Sequence, residues 1–178
     1  LKRIDRNKYF IVQSFTSPSI YEKKNIWKKL VDVGCYQPFD CLIGASDYFF
    51  NLIKPSMYII SRHDVWPKHI IKAKTLGVKI LFLNANIHKN SLWKKPIFQT
   101  FTKFIFNKIN FFILPSQNIK MQIQDLIPNK KIKVINDTRF AQVIDRASRD
   151  SNRLIKISAS TMNIIFASID ETDEDIIF

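Results

Sequence analysis

Glycine is scarce in this sequence, with 3 among its 178 residues. None of the three stands in a G-x-G or P-loop arrangement. Backbone N–H groups approach a phosphate closely only where glycines leave room, so the scarcity argues against a nucleotide cradle within this chain. A G-x-S-x-G elbow and a plausible Ser/His/Asp set are also missing, which leaves a serine hydrolase without support.

Cysteine and long apolar runs are equally limited. Cys35 and Cys41 lie six residues apart without a metal-ligand pattern, and His63, His69 and His88 show no i,i+4 pairing. Two free thiols in a reducing cytoplasm are the simplest interpretation, and neither a metal nor a cofactor is predicted. No run of about 18 apolar residues occurs, so no membrane span is predicted. The first ten residues lack the apolar segment of a signal peptide.

Apolar and aromatic residues are abundant. They make up 46% and 13% of the chain, with 15 phenylalanines. This composition excludes a disordered chain and is sufficient for one packed domain.

Positive charge dominates the polar residues. Lysine and arginine number 28 against 15 acids, giving a net charge of +13, and the "DETDED" segment at 170–175 concentrates much of the negative charge. Such a surface attracts polyanions, namely nucleic acid, anionic lipid headgroups or a phosphorylated substrate. The alternative is a lysine-rich coding bias whose solvated side chains bind nothing.

Strand-type and helix-type patterns alternate along the chain. The predicted strands cover 8–15, 56–61, 78–84, 111–114 and 131–135. The predicted helices cover 17–34, 40–53, 67–77, 95–109 and 116–126. This alternation predicts an α/β fold, a Rossmann-like parallel sheet with helices on both faces.

Polar residues follow the predicted strands. Ligands in such sheets bind beyond the carboxyl ends of the strands, so Asp64, 84–91, 116–117 and 136–139 are expected along one edge. The segment Asp64-Val65-Trp66-Pro67 is unusual there, since a core strand usually ends in small turn residues. Either Trp66 covers the core, or Asp64 faces a ligand; Asp64 as a helix cap before Pro67 is a further alternative.

Several segments resemble the 3-deoxy-D-manno-octulosonic acid (Kdo) transferase family. The matching segments are "SFTSPSIYE" (14–22), "YQPFD" (36–40), "KPSMYIISRHDVWPK" (54–68), "GVKILFLNANI" (77–87), "PSQN" (115–118) and "VINDTRFAQV" (134–143). Each is weak alone, but six in the family's order and spacing are hard to obtain by chance.

The resemblance implies the N-terminal half of a GT-B glycosyltransferase. Residues 1–150 would form the acceptor-binding domain, and 151–178 a linker with the first strand of the donor-binding domain. The enzymes transfer Kdo from CMP-Kdo to a lipid A precursor, which implies a peripheral location at the cytoplasmic face of the inner membrane and no nucleic acid partner. The competing interpretation is a non-catalytic basic α/β module that binds nucleic acid or another polyanion.

The resemblance also suggests site residues. It implies catalytic roles for Asp64, which would orient an acceptor hydroxyl, and for Arg139, which would stabilise the departing CMP phosphate. A surface ion pair with Asp137 or Asp145 is the alternative role for Arg139. The family's catalytic glutamate, in a Gly-Glu segment before Leu1, has no match in this chain. The implied substrate-binding residues are Ser17, Trp66, Asn84, Asn86, Ser116, Thr138 and Ser168.

The segment 93–110 combines aromatic and basic residues. Its apolar residues lie almost all round a predicted helix, which is typical of burial between the sheet and another element. A basic and aromatic helix of this kind also suits a lipid interface.

Overall fold

The computed structural model describes residues 4–62, 64–87, 91–128 and 131–149. The strands are β1 (Val12–Phe15), β2 (Val33–Tyr36), β3 (Met57–Ser61), β4 (Lys79–Leu83), β5 (Phe111–Leu114) and β6 (Ile132–Val134). The helices are α1 (Pro18–Tyr21), α2 (Lys24–Trp27), α3 (Ala45–Ile53), α4 (Pro67–Thr75), α5 (Gln99–Phe106), α6 (Gln117–Ile123) and α7 (Thr138–Arg149). Short 3-10 turns occur at Leu92–Lys94, Pro96–Phe98 and Gln124–Leu126.

All strand pairs in the described residues are parallel, as predicted. They form a four-stranded sheet in the order β3-β4-β5-β6 and a separate two-stranded sheet of β1 and β2. The larger sheet is flanked by helices, which confirms the Rossmann-like α/β class. The prediction of one sheet containing both β1 and β3 is wrong for the described residues.

One face of the four-stranded sheet forms the main core. Ile60, Ile80, Phe82, Phe112 and Leu114 alternate along neighbouring strands and are at most 2% exposed. The helix residues that complete this core are Phe50, Ile70, Ala73, Ile105, Phe106 and Ile123. Continuous apolar strands with helices packed upon them are the expected solution for a parallel sheet.

The β1–β2 pair has its own small core. Phe15, Trp27 and Val31 are buried together. Gly34 in β2 lies under the Trp27 ring so closely that an added Cβ would overlap the indole carbons. A glycine within a strand often marks such a close approach.

The first predicted helix is wrong in extent. We expected residues 17–34 to be one helix ending at Gly34, but the structure has the short α1 and α2 followed by β2. Gly34 permits close packing of Trp27 rather than ending a helix. The strand expected over 8–15 also begins only at Val12, because Tyr9 belongs to a turn closed by its N–H and the Asp5 carbonyl, 3.1 Å apart.

The chain divides into two compact units, with the boundary between Thr138 and Arg139. The first unit contains both sheets and α1 to α6. The predicted boundary after residue 150 and the predicted donor-domain strand lie outside the described residues, so both stay predictions.

Candidate functional site

The carboxyl edge of the four-stranded sheet gathers polar residues. Asp64, Asn84 and Ser116 follow β3, β4 and β5, which are parallel neighbours. Backbone hydrogen bonds hold the segments just beyond the strands together: the Arg62 N–H donates to the Leu83 carbonyl at 2.9 Å, and the Asn86 N–H to the Arg62 carbonyl at 3.2 Å. The predicted meeting of these three positions at one edge agrees with this topology.

Asn84 is the most constrained residue of this edge. Its φ is +51°, in the left-handed region that asparagine tolerates better than most residues. The side chain is 6% exposed, and its Nδ2 donates to Thr138 Oγ1 at 2.6 Å. Its Oδ1 is buried without a hydrogen-bond partner among the described residues. A buried amide oxygen left in this way suits a hydroxyl or N–H donor of a ligand.

Asp64 and Trp66 occupy different environments. Asp64 is exposed, with its backbone N–H 3.4 Å from the Ser61 carbonyl. The N-cap residue of α4 is Trp66, and its side chain makes no capping hydrogen bond. Asp64 lies two residues before this position, so the interpretation of Asp64 as the helix cap is wrong. Trp66 is half-buried, with its ring 6.0 Å from Phe39 and 6.2 Å from His69, which agrees with partial coverage of the core.

The start of α4 is capped by a residue from another segment. Asp40, the acid of the "YQPFD" segment, accepts through Oδ2 from the Lys68 N–H at 2.8 Å. Its Oδ1 lies 3.7 Å from Nε2 of His69, which is fully buried. The Gln37 amide nitrogen lies 2.8 Å from His69 Nδ1. The loop after β2 is thereby fixed against the element that follows β3.

Burial shifts the pKa values of two side chains in this network. Burial lowers the pKa of His69 below its ordinary value, against the opposing effects of Asp40 and the Pro38 carbonyl. Burial raises the pKa of Tyr58 to about 12, and a hydrogen bond with the Gln37 side chain acts in the opposite direction. Both side chains are therefore neutral near pH 7.

Sequence reasoning missed Gln37, Asp40, Tyr58 and His69 as a network. Residues 37 and 69 are 32 positions apart, and neither residue type nor spacing indicates their contact. The "YQPFD" segment was the available signal, because its acid follows directly after the β2 region and precedes α3.

The predicted serines have local structural roles. Ser116 directly precedes α6 as its N-cap, and its Oγ accepts from the Ile119 N–H at 3.3 Å. Ser17 precedes α1 without a side-chain cap bond, and its Oγ lies 2.8 Å from Ser19 Oγ. These two hydroxyls belong to helix starts, and their contact with a substrate stays a prediction.

The structure does not assign two of the predicted site residues to the carboxyl edge of the sheet. Arg139 is exposed in the first turn of α7 and belongs to the second compact unit. Ser168 lies outside the described residues. Among the predicted site residues in the described ranges, Asn84 and Thr138 are the pair whose side chains contact each other directly. The described part of the chain holds no group of three metal-ligating side chains.

The surface around α5 is apolar and basic. Thr102, Ile105 and Phe106 bury one side of the helix. The exposed apolar residues are Leu92, Ile97, Phe98, Phe101 and Phe104, with exposed fractions from 43% to 83%. Exposed Lys95 and Lys103 lie among them, and the Lys108 Nζ is 4.1 Å from the Phe104 ring centroid. We call Leu92, Lys95, Ile97, Phe98, Phe101, Lys103, Phe104 and Lys108 together the basic–aromatic surface. In the described ranges, every helix is too short or too polar to cross a bilayer.

Parallel strands with helices and a polar carboxyl edge place the domain among the Rossmann-like α/β folds. A sequence profile of the family described as 3-Deoxy-D-manno-octulosonic-acid transferase (kdotransferase) matches residues 1–142. The chain belongs to this family of glycosyltransferases.

Two curated relatives carry the name 3-deoxy-D-manno-octulosonic acid transferase. The protein of Chlamydia muridarum (strain MoPn / Nigg) is 21% identical over 175 residues, covering 94% of this chain and 40% of the relative. That of Chlamydophila psittaci (strain ATCC VR-125 / 6BC) is 24% identical over 128 residues, covering 70% of this chain and 30% of the relative. The chain therefore spans less than half the length of these relatives. No solved structure matches it significantly.

Proposed function

We propose that this chain is the acceptor-binding part of a glycosyltransferase that transfers Kdo from CMP-Kdo to a lipid A precursor in lipopolysaccharide synthesis. The observation that carries the proposal is the family match over residues 1–142. The match supports a transferase over a non-catalytic basic module, because a general polyanion binder has no need of this family's sequence pattern. The surplus of 28 basic over 15 acidic residues suits a phosphorylated acceptor.

The reaction requires a hydroxyl oxygen of the acceptor to attack the anomeric carbon of Kdo while CMP departs with the bonding electron pair. A carboxylate accepts the hydroxyl proton. We assign Asp64 to orienting that hydroxyl, since it is exposed at the carboxyl edge. The buried Oδ1 of Asn84 is suited to accept a further hydrogen bond from the sugar.

Arg139 is assigned to the donor side of the reaction. A guanidinium binds phosphate through two parallel hydrogen bonds and stays protonated, so it stabilises the charge that develops on the departing CMP.

The basic–aromatic surface is assigned to membrane contact at the cytoplasmic face of the inner membrane. Ile97, Phe101 and Phe104 follow i, i+4 and i+7 spacing and are each more than 40% exposed. Aromatic side chains with neighbouring lysines are suited to the headgroup region of an anionic bilayer. An acceptor anchored in lipid would then be presented to the carboxyl edge by the same contact.

Vesicle binding tests the membrane assignment. The double variant Ile97→Asp/Phe104→Asp should weaken binding to anionic phospholipid vesicles containing a bisphosphorylated lipid A precursor by roughly tenfold or more, because two inserted apolar side chains are lost. Affinity of the unchanged chain should also fall as salt is raised, since Lys–phosphate attraction is screened over about 10 Å at 0.1 M ionic strength. Co-sedimentation measures both effects.

The matched control is Tyr48→Asp/Leu52→Asp. These two residues lie on α3 and are 72% and 68% exposed, so the charge change and the apolar loss are alike. Binding reduced equally by both double variants would contradict a specific contact through the basic–aromatic surface. Equal binding to vesicles with and without the precursor would support membrane contact but contradict recognition of the acceptor by this chain.

A further inference from the structure

Two neighbouring strands of the larger sheet are each followed by a residue with a left-handed backbone. Arg62 directly follows β3 and has a φ of +65°, and Asn84 directly follows β4 and has a φ of +51°. Ser61 and Leu83 are register partners at the ends of these strands, so Arg62 and Asn84 leave the sheet at the same level. The fold therefore brings an arginine next to the most constrained residue of the carboxyl edge.

Backbone hydrogen bonds fix Arg62 against the segment that contains Asn84. The Arg62 N–H donates to the Leu83 carbonyl at 2.9 Å, and the Arg62 carbonyl accepts from the Asn86 N–H at 3.2 Å. These two partners lie on either side of Asn84 in the chain. The position of the Arg62 backbone is thus determined without any contribution from its side chain.

The left-handed conformation does not itself require an arginine. Positive φ is uncommon outside glycine and is tolerated best by asparagine, aspartate and histidine, so a glycine would adopt this conformation at lower cost. Residues held in such conformations by the surrounding structure cluster at binding sites. An arginine at this point therefore favours a use for the side chain over a purely structural role.

The guanidinium of Arg62 is free to bind a ligand. Arg62 is exposed, and within the described ranges its side chain makes no hydrogen bond or ion pair, with Asp64 or with any other residue. Arg6, by contrast, forms an ion pair with Asp32. A guanidinium binds a phosphate through two parallel hydrogen bonds and keeps its charge at every physiological pH.

Asn84 supplies a second polar group for the same ligand. Its Oδ1 is buried without a hydrogen-bond partner among the described residues. An amide oxygen accepts a hydrogen bond from a hydroxyl group, but it has nothing to offer to the oxygens of an ionised phosphate. A ligand that satisfies Arg62 and Asn84 together carries a phosphate and a hydroxyl close to each other, as a phosphorylated sugar does.

We propose that Arg62 is a substrate-binding residue whose guanidinium holds a phosphate group, beside the sugar hydroxyl that donates to Asn84 Oδ1. The proposal rests on the proposed function for the identity of the ligand, a phosphorylated lipid A precursor, and on the geometry of the carboxyl edge for the phosphate. It gives this edge a positive charge that none of the sequence-predicted site residues in the first unit provides.

A soluble probe tests the proposal without any contribution from membrane contact. The probe is the bisphosphorylated lipid A precursor after removal of its acyl chains, and the comparison ligand is the same molecule after removal of its phosphates. NMR titration of the 178-residue chain follows the arginine Nε–H resonances, among which the Arg62 signal is the one missing from the Arg62→Gly spectrum. The phosphorylated probe should shift this signal and bind roughly tenfold or more tightly than the comparison ligand, because the latter lacks the charge-assisted hydrogen bonds.

Arg62→Gly and Lys54→Gly are the matched variants. Lys54 is also exposed and has a φ of +47°, but it follows α3 at the amino end of β3, where a left-handed residue commonly ends a helix. Glycine adopts positive φ without strain, so both variants should stay folded with a melting temperature close to that of the unchanged chain.

The two variants should differ in binding. Arg62→Gly should bind the phosphorylated probe about tenfold more weakly than the unchanged chain and the comparison ligand equally well, because only the phosphate contact is lost. Lys54→Gly should bind each ligand within about twofold of the unchanged chain, since a distant exposed charge contributes little.

Three results would overturn the proposal. The first is an Arg62 signal that neither the phosphorylated probe nor inorganic phosphate shifts. The second is an equal loss of affinity in Arg62→Gly and Lys54→Gly, which would assign the binding to net charge. The third is equal weakening of both ligands by Arg62→Gly. A shift produced by inorganic phosphate but not by the probe would support the phosphate site at Arg62 and contradict the acceptor named in the proposed function.

Discussion

At the scale of single residues, Asn84 combines a left-handed backbone, a partly buried hydrogen bond to Thr138 and a buried side-chain oxygen without a partner among the described residues. Asn84→Ala should lower the free energy of unfolding by about 1–3 kcal/mol, because the amide bond is lost and alanine resists this backbone conformation. Urea denaturation measures the change.

Two variants separate these causes. Asn84→Gly removes the amide but tolerates a positive φ, so its cost should be smaller than that of Asn84→Ala. Asn86 donates its backbone N–H to the Arg62 carbonyl, a bond that alanine retains, so Asn86→Ala should change the stability by about 0.5 kcal/mol or less. Equal costs for Asn84→Ala and Asn84→Gly would contradict the backbone contribution.

His69 makes stability depend on pH. Its burial lowers the pKa in the folded protein below the ordinary value of 6.5 that applies to the unfolded chain. As pH falls from 8 through 6.5, the unfolded chain takes up a proton that the folded protein resists, so the free energy of unfolding should fall. His69→Gln should reduce this dependence between pH 8 and pH 5.5, measured by urea denaturation at several pH values. Identical pH slopes for the two proteins would contradict a buried neutral His69.

At the scale of elements, β2 depends on the contact of Gly34 with Trp27. Gly34→Ala should destabilise the β1–β2 pair by about 1–3 kcal/mol, because the added methyl group overlaps the indole in a packed core. Thermal unfolding followed by near-UV circular dichroism detects the loss.

Trp27→Leu in the Gly34→Ala background tests the cause. A smaller side chain at 27 should make room for the methyl group, so the double variant should cost less than the sum of the two single variants. Strict additivity would show that Gly34 matters for another reason. Gly44→Ala serves as a contrasting control, since an added Cβ there meets no atom within 4 Å and only its φ of +74° opposes the change.

The elements best predicted from sequence are those with continuous apolar runs. "SMYIIS" and "FFIL" became β3 and β5 almost as expected, because a short continuous apolar run is typical of a strand in a parallel sheet. β2 was missed since "VGCY" is short, contains glycine and follows a helical pattern. The helix α7 was also not predicted, because Phe140, Val143 and Ile144 are its few large apolar residues and form no continuous run.

The sequence predicts those parts of the candidate site that follow from the order and direction of the strands. Asp64, Asn84 and Ser116 could be assigned to one edge because each follows a parallel strand. The contacts of His69 with Asp40 and Gln37 could not, since they depend on how two loops fold across separate strands. Catalytic roles depend on distances to a substrate, which topology alone does not provide.

At the scale of the whole molecule, activity is expected to need more than these 178 residues. In a Kdo transferase of the relatives' length that contains this chain, Arg139→Ala should lower kcat by about 100-fold or more and change acceptor binding far less. An interaction made mainly in the transition state has this effect. A radiolabelled transfer assay with CMP-Kdo measures kcat, and vesicle binding measures the affinity.

Two results bear on this assignment. Turnover of the Arg139→Ala protein within twofold of the unchanged enzyme would contradict the assigned role and favour an ion pair at the surface.

The 178-residue chain alone should give no transfer. Robust transfer by it would show that the catalytic carboxylate is one of its own, with Asp64 as the first residue to substitute.

The three tryptophans lie in three different environments, so their fluorescence reports on different parts of the protein. Trp27 is buried in the small core, Trp66 lies against Phe39 and His69 at the loop junction, and Trp93 stacks on Phe101 and Phe106 beside the main core. Each tryptophan therefore senses a different region. Proteins retaining one tryptophan each would resolve, through their emission spectra alone, whether the two sheets melt together or one after the other.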